Sequence, residues 1–104
     1  MTNFLVKHVE EVGLPELTSE QIEELCSIAE ETARKSVLSK VSQKRIETLN
    51  VTAEAEGTKP VSLAIDLDIV LSQTLKDFDV KRLVDEALKA AFAAAEKYLR
   101  ELKS

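Results

Sequence analysis

The feature that most constrains the fold is an uninterrupted row of aliphatic side chains at every second position of residues 61–71. The apolar members are Val61, Leu63, Ile65, Leu67, Ile69 and Leu71. Because successive side chains of a strand point to opposite faces, this pattern predicts a β-strand with one buried face. A shorter alternation precedes it in the sequence and consists of Leu49, Val51, Ala53 and Ala55. The intervening Gly57 and Pro60 are turn residues, so the two runs predict an antiparallel hairpin.

The alternation also suggests how the two strands pair. A hairpin that places Ala55 opposite Val61 places Val51 opposite Ile65 and keeps every apolar residue on one side. A one-residue slip would turn the whole apolar row toward water, so the buried face fixes which residues lie together. The opposite face carries mostly polar side chains and is expected to meet solvent.

A long helix is predicted before the hairpin. Thr18 followed three residues later by Gln21 is a capping box, which is typical of a helix start. The helix is expected to end between Val37 and Ser42. Its inward stripe is predicted to comprise Ile22, Leu25, Cys26, Ala29, Ala33 and Val37. The single cysteine, Cys26, cannot form an internal disulfide and is interpreted as a buried core residue.

The first residues of the chain allow two interpretations. Apolar side chains and the only histidine, His8, recur with helical spacing over residues 3–12, which favours a short helix. A strand that covers one edge of the hairpin is the alternative. With the helix preferred, the sequence predicts an α+β fold in the order α-α-β-β-α. The architecture is a single-domain, two-layer sandwich of an antiparallel β-hairpin, extended by dimerisation, against helices.

A last helix is predicted from about Val80 to Leu102, with Asp79 as its cap. Its apolar surface is wider than one stripe. The residues predicted to form a dimer interface are Leu88, Phe92, Ala95, Leu99 and Leu102. A small hairpin also has unpaired edges, and pairing them with a second copy would complete a four-stranded sheet. The sequence therefore predicts a homodimer, formed through the sheet edges or through this helix, unless the helix simply lies between the sheet and the other helices.

His8 and the pair Asp66 and Asp68 are candidate functional residues. His8 has no partner pattern for a catalytic triad or a metal cluster. Asp66 and Asp68 could bind a divalent cation from one strand face, but they fit better as the polar side of an amphipathic strand, opposite Asn50 and Thr48. No catalytic residue and no metal site are therefore predicted.

A basic stretch lies between the first helix and the hairpin. It comprises Arg34, Lys35, Lys40, Lys44 and Arg45, and no acidic residue occurs between Thr32 and Ile46. Such a patch could contact nucleic-acid phosphates. No aromatic residue is interleaved to stack on bases, and lysines near a helix C-terminus are also explained by the helix dipole.

Composition limits the remaining classes. The chain has 104 residues and a formal net charge of −5, which does not favour a generic partner such as nucleic acid or an anionic membrane. It lacks a Gly-rich phosphate loop, so no cofactor is predicted. Without a signal peptide or a long apolar run, a cytoplasmic location is expected. The abundance of Glu and Lys is typical of a thermophile.

Four segments together resemble a known family. They are LTSEQIEELCSIAEETARKSV, RIETLNVTAEAEG, VSLAIDLDIVLS and DVKRLVDEALKAAFAAAEKYLRELK. They are similar to an archaeal family of short uncharacterised proteins, domain of unknown function 3194, over nearly the whole chain. The resemblance implies no activity, cofactor or catalytic residue. It does suggest an unidentified housekeeping protein partner.

The architecture also resembles the small KH-like Pcc1 subunit of the KEOPS tRNA-modification complex. That subunit has a helix, a hairpin and a long closing helix, and it dimerises. The predicted N-terminal helix stands where that family has a strand, so the likeness is one of architecture. The function predicted from the sequence is a non-enzymatic, homodimeric interaction or assembly accessory. The alternative is an RNA-binding module of KH-like architecture that uses the basic 34–45 segment.

Overall fold

The computed structural model describes residues 2–11, 17–56, 62–72 and 79–103. The elements within these residues are β1 (Thr2–Glu11), α1 (Ser19–Lys40), a 3-10 helix (Gln43–Arg45), β2 (Ile46–Glu56), β3 (Ser62–Leu71) and α2 (Val80–Lys103). The observed order is therefore β-α-β-β-α.

The three strands form one antiparallel sheet in the order β1-β3-β2. Along β3 every second residue is buried, and the buried members are Leu63, Ile65, Leu67, Ile69 and Leu71. These side chains join buried residues of α1 and α2 in one core, so both helices cover the same face of the sheet. The predicted α+β, two-layer architecture is confirmed. The strand that carries the strongest alternation is the central one.

The predicted N-terminal helix is wrong. Residues 2–11 form β1, which pairs along its whole length with β3. Leu5 and Val9 contributed to the helical spacing, yet both are exposed in the strand. The second edge of β3 offers the backbone N–H and C=O groups of every other residue along its length, and pairing them outweighs a weak local helical preference.

The predicted hairpin register is displaced by two residues. Val51 lies opposite Leu67 and Ala55 opposite Leu63, so each predicted partner is two positions too early. A shift by two leaves every side chain on its predicted face, which is why the alternation could not detect it. The register also shifts between Ile46 and Thr48. This bulge turns the half-buried Ile46 toward the core.

The predicted start of α1 is confirmed in atomic detail. The Thr18 hydroxyl accepts a hydrogen bond from the Gln21 backbone N–H at 3.1 Å, and the Gln21 side chain accepts from the Thr18 N–H at 2.9 Å. The helix ends at Lys40, inside the predicted range. Cys26, predicted to be a buried core residue, packs against the core but is only partly buried.

Helix α2 has the predicted extent and start. The Asp79 carboxylate accepts a hydrogen bond from the Arg82 N–H at 3.0 Å. One side of α2 packs on α1 and the sheet, with Val84, Ala87 and Ala91 fully buried. Neither described helix is long and apolar enough to cross a membrane.

Candidate functional site

The two edges of the sheet differ chemically, and α1 contacts the backbone of the β2 edge at Ala53 and Ala55. The Ala53 N–H, which points away from β3, donates to Glu30 Oε1 at 2.9 Å. Two positions after Ala53 on β2, the Ala55 backbone donates a hydrogen bond to Cys26. Side chains of α1 therefore accept hydrogen bonds from outward-pointing N–H groups of β2. A further strand would need these same groups in order to pair with β2.

The Cys26 thiol in this contact is not activated. Burial raises the pKa of Cys26 above its ordinary value of 9.0, and the negative charge of Glu30 raises it further. The hydrogen bond from Ala55 acts in the opposite direction, and Glu54 adds a smaller upward contribution. Because the thiolate is the nucleophilic form, this cysteine is suited to packing and edge closure rather than to catalysis.

Among the described residues no strand pairs with the outer edge of β1, and the register identifies the backbone groups that point toward this edge. Since the Ala53 N–H points away from β3, its partner Ile65 must direct its own backbone groups toward β1. His8 lies opposite Ile65 and pairs with it. The direction of the backbone groups alternates from residue to residue along a strand. Because the groups of His8 point toward β3, the N–H and C=O groups of Leu5, Lys7 and Val9 point away from the sheet.

The same three residues display their side chains on the open face of the sheet, which neither helix covers. The side chains of Leu5 and Val9 are among the exposed large hydrophobic groups of the described residues, at 73% and 53% relative exposure. Lys7 lies between them. An edge strand of ten residues with outward-pointing hydrogen-bonding groups and two exposed aliphatic side chains can pair with another strand.

A cleft of about 420 Å³ runs between β1 and α2 on the other face of the sheet. Its floor includes Leu88 and Phe92, and its rim carries His8, Glu10 and Lys89. The His8 ring packs edge-on to Phe92 with centroids 5.3 Å apart, and its Nε2 lies 3.5 Å from Glu10 Oε1. Through these contacts the His8 side chain covers part of the core beside β1.

Asp66 and Asp68 lie half-exposed on the open face, as predicted for the polar side of an amphipathic strand. The predicted neighbours are wrong because of the register shift: Asn50 lies opposite Asp68, and Thr52 lies opposite Asp66. On the other side Lys7 lies opposite Asp66 and brings a positive charge next to the pair. Within residues 2–11, 17–56, 62–72 and 79–103, no three His, Cys, Asp or Glu residues are grouped to hold a metal ion.

A comparison with protein families assigns the chain to one of them. A family model described as "Protein of unknown function (DUF3194)" matches residues 14–98. The chain belongs to the DUF3194 family. Uncharacterised members include one from Thermococcus kodakarensis, 34% identical over 92% of this chain and 88% of that protein. Another, from Methanothermobacter thermautotrophicus, is 31% identical over 85% of this chain and 94% of that protein.

Two solved structures are similar to this DUF3194 protein. A crystal structure from Thermococcus onnurineus NA1 has a TM-score of 0.78 at 30% identity and covers 96% of both chains. The solution structure of the hypothetical protein mth677 from Methanothermobacter thermautotrophicus has a TM-score of 0.71 at 30% identity. It covers 88% of this chain and 98% of that one. The predicted archaeal family and the predicted thermophilic relationship are confirmed.

The five basic residues predicted for nucleic-acid contact are all exposed. They lie in the second half of α1 and in the following 3-10 helix. Lys35 Nζ is 3.1 Å from Glu31 Oε1, so its charge is partly offset within the helix. The Arg45 carbonyl accepts hydrogen bonds from the backbone N–H and the hydroxyl of Ser72, which anchors this end of the segment to β3.

Most of the α2 residues predicted for a dimer interface are buried inside a single chain. Leu88, Phe92, Ala95 and Leu99 are at most 6% exposed and belong to the core of a single chain. Of the predicted set only Leu102 is exposed, at 39%. The wide apolar surface of α2 is needed to cover α1 and the sheet together, so it does not supply a reason for dimerisation.

Sequence reasoning missed Leu5, Lys7 and Val9 as candidate interface residues. The local sequence carries no clean alternation, since Phe4, Leu5 and Val6 are consecutive apolar residues. The helical spacing was therefore the clearer local pattern. The hairpin's need for an edge partner, which the sequence did indicate, was the stronger criterion.

Proposed function

We propose that this protein is a non-enzymatic assembly protein that works as a homodimer joined through the free edge of β1. The observation that carries the proposal is the contrast between the two sheet edges. Within the described part of the chain, the β1 edge has no strand partner and carries exposed aliphatic side chains, whereas α1 accepts hydrogen bonds from the β2 edge at Ala53 and Ala55. Extension of the sheet at β1 would satisfy those backbone groups and cover part of Leu5 and Val9.

A second copy is the partner that this edge suits. Twofold self-association is the commonest oligomeric arrangement, and an antiparallel edge contact is its own complement. Two three-stranded sheets would join into one six-stranded sheet with all four helices on one face. The open face would then be a continuous surface on which a larger assembly could dock.

The test is a comparison of Lys7→Pro with Lys7→Ala. The Lys7 N–H points away from β3, so proline at this position removes a donor from the free edge and none from the sheet. Lys7→Ala retains the N–H. We expect the wild-type protein and Lys7→Ala to be dimers by light scattering, and Lys7→Pro to be a folded monomer with an unchanged far-ultraviolet dichroism spectrum.

A wild-type protein that stays monomeric at all concentrations would refute the proposal. A folded Lys7→Pro variant that remains dimeric would refute the β1 edge as the interface while leaving dimerisation itself intact.

Nucleic-acid binding through the basic segment is the second candidate function. It is favoured by the exposure of all five cations and by the absence of acidic residues among them. Phosphate contacts weaken steeply as salt concentration rises. The test measures RNA affinity against salt for the wild type and for a variant with Arg34, Lys44 and Arg45 changed to Ala. Unchanged affinity and salt slope in that variant would exclude this role.

A further inference from the structure

We infer that two copies pair their β1 strands antiparallel with Lys7 on the twofold axis, so that Leu5 of each copy lies opposite Val9 of the other. This inference rests on the proposed homodimer and adds its register. It assigns the specific contacts that hold the two sheets together.

The free backbone groups restrict the possible registers. Because Leu5, Lys7 and Val9 direct their N–H and C=O groups outward, hydrogen-bonded pairs across the axis must join odd-numbered residues. Twofold symmetry then requires the two numbers of a pair to have a constant sum. Centring the axis on Lys7 gives a ladder over residues 3–11, which uses nearly all of the ten-residue strand.

Side-chain complementarity selects among these registers. With Lys7 on the axis, the exposed Leu5 and Val9 meet across the interface twice, once on each side. Moving the axis by one residue in either direction places Lys7 opposite Leu5 or opposite Val9, so an ammonium group replaces an apolar contact. Only the central register pairs both aliphatic side chains with each other.

The like charges at the centre are compensated within each sheet. The two Lys7 side chains face each other on the open face, where they are exposed to water. Each has Asp66 of its own chain as its cross-strand neighbour on β3. The row across the dimer therefore reads Asp66, Lys7, Lys7, Asp66, with no net charge.

The inference is tested by thiol cross-linking in a Cys26→Ser background, in which the native thiol is absent. Residues directly opposite in a hydrogen-bonded antiparallel pair have Cα atoms about 5.5 Å apart. Lys7→Cys is therefore expected to give a covalent dimer with a short bifunctional thiol reagent. Leu5→Cys alone and Val9→Cys alone place their thiols four residues out of register, roughly 14 Å apart, and are expected to remain uncrosslinked. An equimolar mixture of these two variants is expected to yield the cross-linked dimer.

The controls separate this inference from the proposed function. Light scattering of each variant, before the reagent is added, reports whether dimers exist. Dimers in which Lys7→Cys does not cross-link, or in which Leu5→Cys or Val9→Cys cross-links with itself, would overturn the register and leave the homodimer standing. Monomers in every sample would overturn both, and Cys26→Ser without a second substitution shows that no other group reacts.

Discussion

Glu30 and Cys26 are the two side chains that distinguish one edge of the sheet from the other. Both project from α1 toward β2 and engage the outward backbone of Ala53 and Ala55. A carboxylate is a strong acceptor, and a half-buried thiol accepts weakly without the cost of burying a charge. The sequence placed Cys26 on the inward stripe but gave no signal that either residue closes an edge, because the contact depends on the register of β2 beside α1.

Glu30→Ala is expected to lower the free energy of unfolding by about 1 kcal/mol, because the partly buried Ala53 N–H loses its charged acceptor. Urea denaturation measures the change. Glu31→Ala is the matched control: its side chain is exposed and pairs only with Lys35 on the helix surface, so it should cost no more than about 0.5 kcal/mol. Equal losses in the two variants would show that the Glu30 contact contributes nothing specific.

Cys26 gives the stability of the fold a dependence on alkaline pH. Its folded-state pKa lies above the ordinary thiol value of 9.0, first because of burial and then because of Glu30. The folded protein therefore prefers the protonated thiol, and this contribution is complete below 9.0 and is lost as the pH rises through the folded-state pKa.

Urea denaturation of the wild type and of Cys26→Ser, from neutral to alkaline pH, checks this dependence. The pKa of Tyr98 is also raised, chiefly by desolvation and by its hydrogen bond to Glu24, so the wild type alone would not isolate the thiol. We expect the free energy of unfolding of the wild type to fall more steeply above pH 9.0 than that of Cys26→Ser. Parallel curves would contradict the assignment.

At the scale of elements, the features that depend on a local sequence pattern were predicted correctly. The capping box at Thr18, the cap at Asp79 and the alternation of β3 each lie within one segment, and each is confirmed. The identity of β1 and the hairpin register depend on contacts between segments. A strand is chosen at residues 2–11 because β3 needs a partner, and a two-residue shift changes neighbours without changing faces.

Thr18→Ala tests the contribution of the α1 cap. Loss of the hydroxyl leaves the Gln21 N–H without its acceptor and weakens the reciprocal bond, so a decrease of about 1 kcal/mol in the free energy of unfolding is expected. Thermal and urea unfolding both report it. Ser19→Ala provides the comparison, since Ser19 is exposed in the first helical turn and alanine suits that position. A loss in Ser19→Ala as large as that in Thr18→Ala would argue against the cap.

At the scale of the whole molecule, the difference between the β1 and β2 edges of the sheet would limit how many copies can assemble. A sheet that can be extended at only one edge forms a closed pair and then stops, because the outer edges of the pair are both β2. A sheet that is open at both edges can add copies indefinitely and risks fibre formation. Closure of β2 by α1 would thus limit a self-pairing strand to two copies.

Removing the closure is expected to release that limit. In Glu30→Ala/Cys26→Ala the N–H groups of Ala53 and Ala55 lose their acceptors on α1, so β2 can pair with a further copy. Sedimentation velocity over a range of concentrations should show the wild type levelling off at two copies while the double variant continues to grow. Adding Lys7→Pro removes a donor from the β1 edge, so that β1 no longer pairs and growth should stop at pairs joined through β2. A folded double variant that never exceeds two copies would mean that the contacts of Glu30 and Cys26 with β2 do not limit assembly, because both would have been removed without effect.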